Sequence, residues 1–121
     1  MNIAGDKSKA FAIRIIRLYK YLQTEKKEFI LSRQLLRSGT SIGANLAEAH
    51  YAVSKSEFLA KTYIALKEAA ETLYWLELLY ETDYLNESQY HSLRADAEEL
   101  RRMLSATTKT TKDVLSAKKE E

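Results

Sequence analysis

The stretch LNESQYHSLRADAEELRRML, residues 85 to 104, decides the fold class. Asn86 followed three residues later by Gln89 marks a helix start in which each residue satisfies the other's backbone donor, and Leu85 is placed to staple against Tyr90. Tyr90, Leu93, Ala97, Leu100 and Leu104 then recur in alternating steps of three and four, the narrow apolar seam of a bundle helix. Upstream, Ser54 and Glu57 form the same kind of box, Val53 can staple against Phe58, and the stripe Leu59, Tyr63, Leu66, Ala70 and Leu73 follows. Two more amphipathic segments precede it. One runs from about Asp6 to Thr24, with Phe11, Ile15, Leu18 and Leu22 in register and Ala12 and Tyr19 widening the stripe. The other runs from about Phe29 to Tyr51, with Leu31, Leu35, Ile42, Leu46 and Ala49. The connection Glu25-Lys26-Lys27-Glu28 is short and charged, which makes the helices it joins antiparallel neighbours.

The composition agrees. The 121 residues are 45% hydrophobic and 30% charged, with three glycines and no proline, a mixture that suits uninterrupted helices. The expected fold is all-α, a single-domain antiparallel up-down-up-down four-helix bundle over residues 1–104. Residues 105–121 are polar and threonine-rich, and are expected to be a frayed or disordered tail. The absence of cysteine excludes a disulfide framework, a thiolate zinc site and a cysteine nucleophile. The longest uncharged stretch, Ser38 to Ala47, is half of the ~20 apolar residues a membrane span needs, so no contact with a membrane is expected. The N-terminus lacks the apolar segment of a secretory signal, and the expected location is the cytoplasm.

Two features depart from a plain bundle. Gly39 and Gly43 lie inside the second helix, each costing ~1 kcal/mol relative to alanine. With Ala47 they sit four apart beside the apolar stripe. Close approach of another helix backbone would offset the cost, as would a ligand passing near the glycines. The second feature is LYWLELLY, residues 73 to 80, apolar all the way round. At 100° per residue Leu73, Leu76 and Tyr80 share the core side, whereas Trp75, Leu78 and Leu79 point away from it, roughly in line with Ile64. This is either an unusually wide core or a subunit interface formed by Ile64, Trp75, Leu78 and Leu79.

No catalytic constellation emerges. A di-iron bundle requires a Glu-x-x-His pair on each of two helices; the only histidines are His50, two residues after Glu48, and His91, four after Glu87. No serine lies in a nucleophile elbow, and there is no Gly-x-x-x-x-Gly-Lys phosphate loop. The sequence therefore points to no enzyme, no metal and no cofactor. Charge is the remaining signal. Residues 1 to 61 hold eleven Lys or Arg against five Asp or Glu, whereas residues 62 to 104 hold four against nine. Arg14, Arg17 and Lys20 are expected opposite the stripe of the first helix, and Arg33 and Arg37 on the polar face of the second. Together, with Lys55 and Lys61 as additions, they would form a nucleic-acid-binding surface with little sequence preference. The alternatives are an ordinary solvated face and a scaffold that contacts a protein partner.

The segments LSRQLLRSGTSIGANLAEA (31 to 49), SKSEF (54 to 58) and IALKEAAETLYWL (64 to 76) resemble the four-helix-bundle family named for proteins encoded in bacterial 23S rRNA intervening sequences, with Arg37-Ser38, Ser41-Ile42-Gly43-Ala44-Asn45 and Glu48 as its distinctive pattern. The resemblance extends to about Leu104. That family is similar to the accessory variability determinant of diversity-generating retroelements, a basic pentameric barrel that binds nucleic acid and a reverse transcriptase. The resemblance thus implies a homopentamer and RNA or DNA as partner, with the distinctive pattern read as packing residues.

Overall fold

The computed structural model describes residues 2–120, apart from the side chains of residues 119 and 120. Four helices follow one another: α1 (Ile3–Thr24), α2 (Leu31–His50), α3 (Lys55–Glu81) and α4 (Glu87–Glu120). Each packs on its neighbours in chain order and α1 closes the ring on α4, an all-α four-helix bundle. Its core is Phe11, Ile15, Leu18 and Leu22 of α1, Leu35, Ile42 and Leu46 of α2, Ala65, Ala69, Leu76 and Leu79 of α3, and Leu93, Ala97, Leu100 and Leu104 of α4, with Leu85 from the last turn.

Caps set where the helices begin. Asn2 Oδ1 accepts from Gly5 N at 2.9 Å, which moves the start of α1 to Ile3, ahead of Asp6. Asn86 and Gln89 form the reciprocal box, with Gln89 N donating to Asn86 Oδ1 at 2.8 Å and Asn86 N to Gln89 Oε1 at 2.9 Å. At α3, Glu57 N donates to Ser54 Oγ at 3.0 Å, and the Glu57 carboxylate reaches back to Val53 N at 3.3 Å. Val53 remains 92% exposed, so the expected staple onto Phe58 does not form. Helix α2 begins at Leu31, two residues later than periodicity suggests, because Glu28 sits beneath its first turn. The Glu28 carboxylate is buried and accepts from Ile30 N (3.2 Å), Leu31 N (3.1 Å) and Ser32 N (2.7 Å). Three donors offset the desolvation of the charge.

The α3 stripe is turned from its sequence-based position. Its buried residues are Thr62, Ala65, Ala69, Thr72, Leu76 and Leu79, whereas Tyr63 and Ala70 are exposed. Large residues suggested the wrong side: the face toward the centre is made of small ones from Thr62 to Thr72, with Leu76 and Leu79 entering at its end, and Leu66 and Leu73 pack at its flank. Beyond Leu104, where a polar tail was expected, α4 continues to Glu120; residue 121 lies outside the described residues. Thr107 and Thr111 return their hydroxyls to the carbonyls four residues back, at 3.0 and 2.8 Å, so their polar groups are satisfied within the helix. Thr108 is buried, and Thr110, Thr111 and Val114 lie beside the first turn of α3. Tertiary contact outweighs threonine's poor propensity here.

Gly39 and Gly43 face α1. A Cβ on Gly39 would lie 2.9 Å from both Cγ1 and Cγ2 of Ile15, and one on Gly43 3.2 Å from Ser8 Oγ. Ala47, one turn on, is exposed and lines the groove between the two helices. Gly39→Ala should therefore destabilise the bundle by about 1–3 kcal/mol through overpacking, although alanine is the better helix former. Denaturant unfolding checks this, and the cost should shrink in an Ile15→Ala background; a raised midpoint in the single variant would contradict the close contact.

Candidate nucleic-acid interface

The basic residues of α1 and α2 do not converge on one surface. Arg14 turns toward α4: Nη1 donates to Asp96 Oδ2 at 2.7 Å and Ser92 O at 3.3 Å, and Nη2 to Ser92 Oγ at 2.9 Å. Arg37 turns the opposite way, toward α3, where it pairs with Glu71 and, at 3.4 Å, with Glu68. Lys61 pairs with Glu48 at 3.2 Å across the α2–α3 interface. These three cations, expected on the nucleic-acid surface, each bridge to a neighbouring helix, because acids of that helix lie within reach. Arg17, Lys20, Arg33 and Lys55 are exposed and belong to no ion pair among the described residues. Lys26 and Lys27, absent from the sequence-based set, are exposed and unpaired in the same way, in the turn between Lys20 and Arg33.

This turn has a defined shape. Lys27 takes a left-handed conformation, φ 52°, to reverse the chain. Glu28 N donates to Leu22 O at 3.0 Å, and Ser32 Oγ donates back to Glu28 O at 2.8 Å. With the carboxylate cap, these bonds hold the segment that carries Lys26, Lys27, Phe29, Ile30 and Arg33. At the same end of the bundle the α3–α4 turn presents Glu81, Asp83 and Glu87, all exposed. One half of that end is cationic and the other anionic.

The cluster expected to form a subunit interface is divided. Leu79 is fully buried within its own chain, and Leu78 and Trp75 are half-buried. Only Ile64 is well exposed. The indole Nε1 of Trp75 donates to Glu71 Oε2 at 2.9 Å. The wide-core reading describes Leu79, which belongs to the core of its own bundle. The exposed large aliphatic residues of α1 are Ile3, Ile13 and Ile16.

The distinctive pattern of α2 lies at its two helix interfaces. Ser38 Oγ is 2.9 Å from Thr72 Oγ1, both fully buried between α2 and α3. Ser41 Oγ donates to Arg37 O at 2.7 Å, and Asn45 Nδ2 donates to Ser41 O at 2.8 Å. On the other side, Gly43 meets Ser8. The profile of the family described as 23S rRNA-intervening sequence protein matches residues 2–106. The chain belongs to that family. A solved structure from Bacteroides thetaiotaomicron, described as a protein with unknown function from the S23 ribosomal protein family, is 52% identical. It superposes with a TM-score of 0.88, and the match covers 88% of this chain and 99% of that one. Among curated proteins no match is found. The family match ends at residue 106, so the last turns of α4, which cover the start of α3, lie outside it. Among the described residues, no helix is long and apolar enough to cross a membrane, and no three His, Cys, Asp or Glu side chains group as metal ligands.

Glu71 joins the only tryptophan to the α2–α3 ion pair. The indole hydrogen bond, reinforced by the Arg37 guanidinium against partial burial, holds its carboxyl below the ordinary value of 4.5. A carboxyl depressed on folding contributes stability above its unfolded value and loses it as pH falls through the folded one. Acidification below 4.5 should thus weaken the α2–α3 contact and change Trp75 emission. Glu71→Gln should remove that step from a fluorescence titration; an identical titration for both proteins would contradict the assignment.

Proposed function

We propose that this member of the 23S rRNA-intervening sequence protein family is a non-enzymatic, cytoplasmic nucleic-acid-binding bundle that holds RNA or DNA through phosphate contacts at its α1–α2 end. The observation that carries this reading is the separation of the cations. Among the cations of residues 1 to 61, those that meet an acid join helices, and Arg17, Lys20, Lys26, Lys27 and Arg33, clustered along the end of α1, the turn and the start of α2, meet none among the described residues. Unpaired arginines and lysines on a rigid edge attract phosphate without reading sequence. Release of condensed counterions supplies most of the affinity.

The chain is further proposed to form a homo-oligomer, a pentamer by the family's resemblance to the retroelement accessory protein. Ile13 and Ile16, exposed on α1 at 41% and 39%, are apolar residues available for subunit contact, as is Ile64 of α3. Repetition of the basic edge in an oligomer would strengthen weak contacts through multivalency. The same isoleucines favour a second reading, a scaffold that assembles with itself or a protein partner without nucleic acid.

One experiment separates the two readings. RNA binding is titrated at several salt concentrations for the wild type and for the triple variant Arg17→Glu, Lys20→Glu, Arg33→Glu, with light scattering and circular dichroism as controls. The first reading expects a particle several times 13.9 kDa in mass, affinity that falls steeply with salt, and a triple variant that stays folded with weaker binding and a shallower salt slope. Equal affinity for both proteins at low salt would select the scaffold, and a wild-type monomer at micromolar concentration would overturn the oligomer.

A further inference from the structure

The α1–α2 turn carries more than charge. Phe29 is 47% exposed and Ile30 is 75% exposed, between Lys26 and Lys27 on one side and Arg33 on the other. Burial would favour both side chains, yet the turn keeps them outside. Glu28, not Phe29, occupies the space beneath α2, where its carboxylate accepts the N–H groups of Ile30, Leu31 and Ser32. Its own N–H and carbonyl are engaged by Leu22 O and Ser32 Oγ. The backbone on both sides of Phe29 is therefore fixed, and little conformational entropy remains to be lost when the ring meets a ligand.

An exposed aromatic ring in a fixed turn, flanked in sequence by exposed cations, matches the parts of a site for single strands. Phosphates follow the positive edge, and an unstacked base lies on the ring face, which every base can use. A duplex offers phosphates but keeps its bases stacked inside, so it presents the ring with a base face only at its two ends. The neighbouring acids, Glu25 in the turn and Glu81, Asp83 and Glu87 on the α3–α4 side, disfavour phosphate there and direct the strand toward α2.

We infer that the α1–α2 turn is a docking site for unpaired nucleotides, with Phe29 stacking a base and Lys26, Lys27 and Arg33 holding the adjoining phosphates, so that the protein prefers single-stranded to duplex RNA. This rests on the nucleic-acid reading above and adds its substrate class. An anionic membrane surface would also attract cations beside apolar side chains, but it rewards any apolar group, whereas a base rewards an aromatic face.

The test measures full-chain protein binding to fluorescent oligouridine of ~12 nucleotides, within the span such a site covers, and to a blunt RNA duplex of equal phosphate number. Vesicles of phosphatidylserine and phosphatidylcholine form a third arm. The variants are Phe29→Ala, Phe29→Leu and Phe29→Trp, each checked by circular dichroism. The wild type should favour the single strand. Phe29→Ala and Phe29→Leu should lose about 5- to 100-fold in single-strand affinity, as expected for one stacked base, with duplex binding unchanged. Phe29→Trp should retain the preference, and its emission should be quenched by oligouridine. Equal losses on both RNAs, or none on either while the triple charge reversal still weakens both, would overturn stacking and leave the phosphate reading standing. Failure of wild type to bind either RNA at low salt would overturn both readings. Vesicle binding lost in Phe29→Ala but kept in Phe29→Leu, without a single-strand preference, would replace this inference with a membrane surface.

Discussion

At Gly39 the side chain of Ile15 fills the space a Cβ would take, and at Gly43 Ser8 does the same one turn on. That contact lets α1 lie close against α2. The opposite side of α2 meets α3 through Ser38, Thr72 and the small residues Ala65 and Ala69, so α2 is held on both flanks. A helix fixed on two sides presents only its outer edge to solvent, and Arg33 is on it. Interiors packed to crystal density leave little room to reorient such a helix. The position of the basic edge therefore depends on two residues that lack side chains.

The charge asymmetry of the sequence is partly cancelled in the fold. Lys7–Glu99 and Arg14–Asp96 join α1 to α4, and Arg37–Glu68 and Arg37–Glu71 join α2 to α3, each pairing a cation from the basic half with an acid from the acidic half. Half-exposed single pairs of this kind add little stability individually, whereas Arg37 meets two acids at once, one of them hydrogen-bonded to the Trp75 indole, and a network of that kind adds more. Their value lies in fixing which helix faces meet, since like charges would oppose any other arrangement. The α1–α2 turn is outside this cancellation, because Lys26 and Lys27 pair with no acid among the described residues. Among its acids, Glu28 is turned inward as a cap.

Much of the fold was legible because the local signals agreed. The apolar positions of α1 and α4 and the boxes at Ser54 and Asn86 rest on short-range chemistry that one strand of sequence displays. The first turns of the α3 stripe were not legible, because the residues that face the centre from Thr62 to Thr72 are small and the large ones beside them suggested another side. The end of α4 was missed for the opposite reason: threonine's poor propensity is a local fact, and the contact with the start of α3 is not. At the candidate site, Arg17, Lys20 and Arg33 could be read as outward-facing from periodicity. Arg14 and Arg37 could not be assigned their partners, since Asp96, Glu68 and Glu71 are brought to them only by tertiary packing. Glu28 illustrates the same limit: in the sequence it completes a charged turn, and in the fold it is buried under three N–H groups.

The central claim is that paired cations serve the fold and unpaired ones serve the ligand. The most direct measurement compares Arg37→Ala with Arg33→Ala, side by side, for thermal midpoint and for RNA affinity at one low salt concentration. The account predicts that Arg37→Ala lowers the midpoint and leaves affinity intact, whereas Arg33→Ala leaves the midpoint intact and lowers affinity. Loss of affinity in Arg37→Ala with an unchanged midpoint, alongside an Arg33→Ala protein that binds as wild type does, would contradict it.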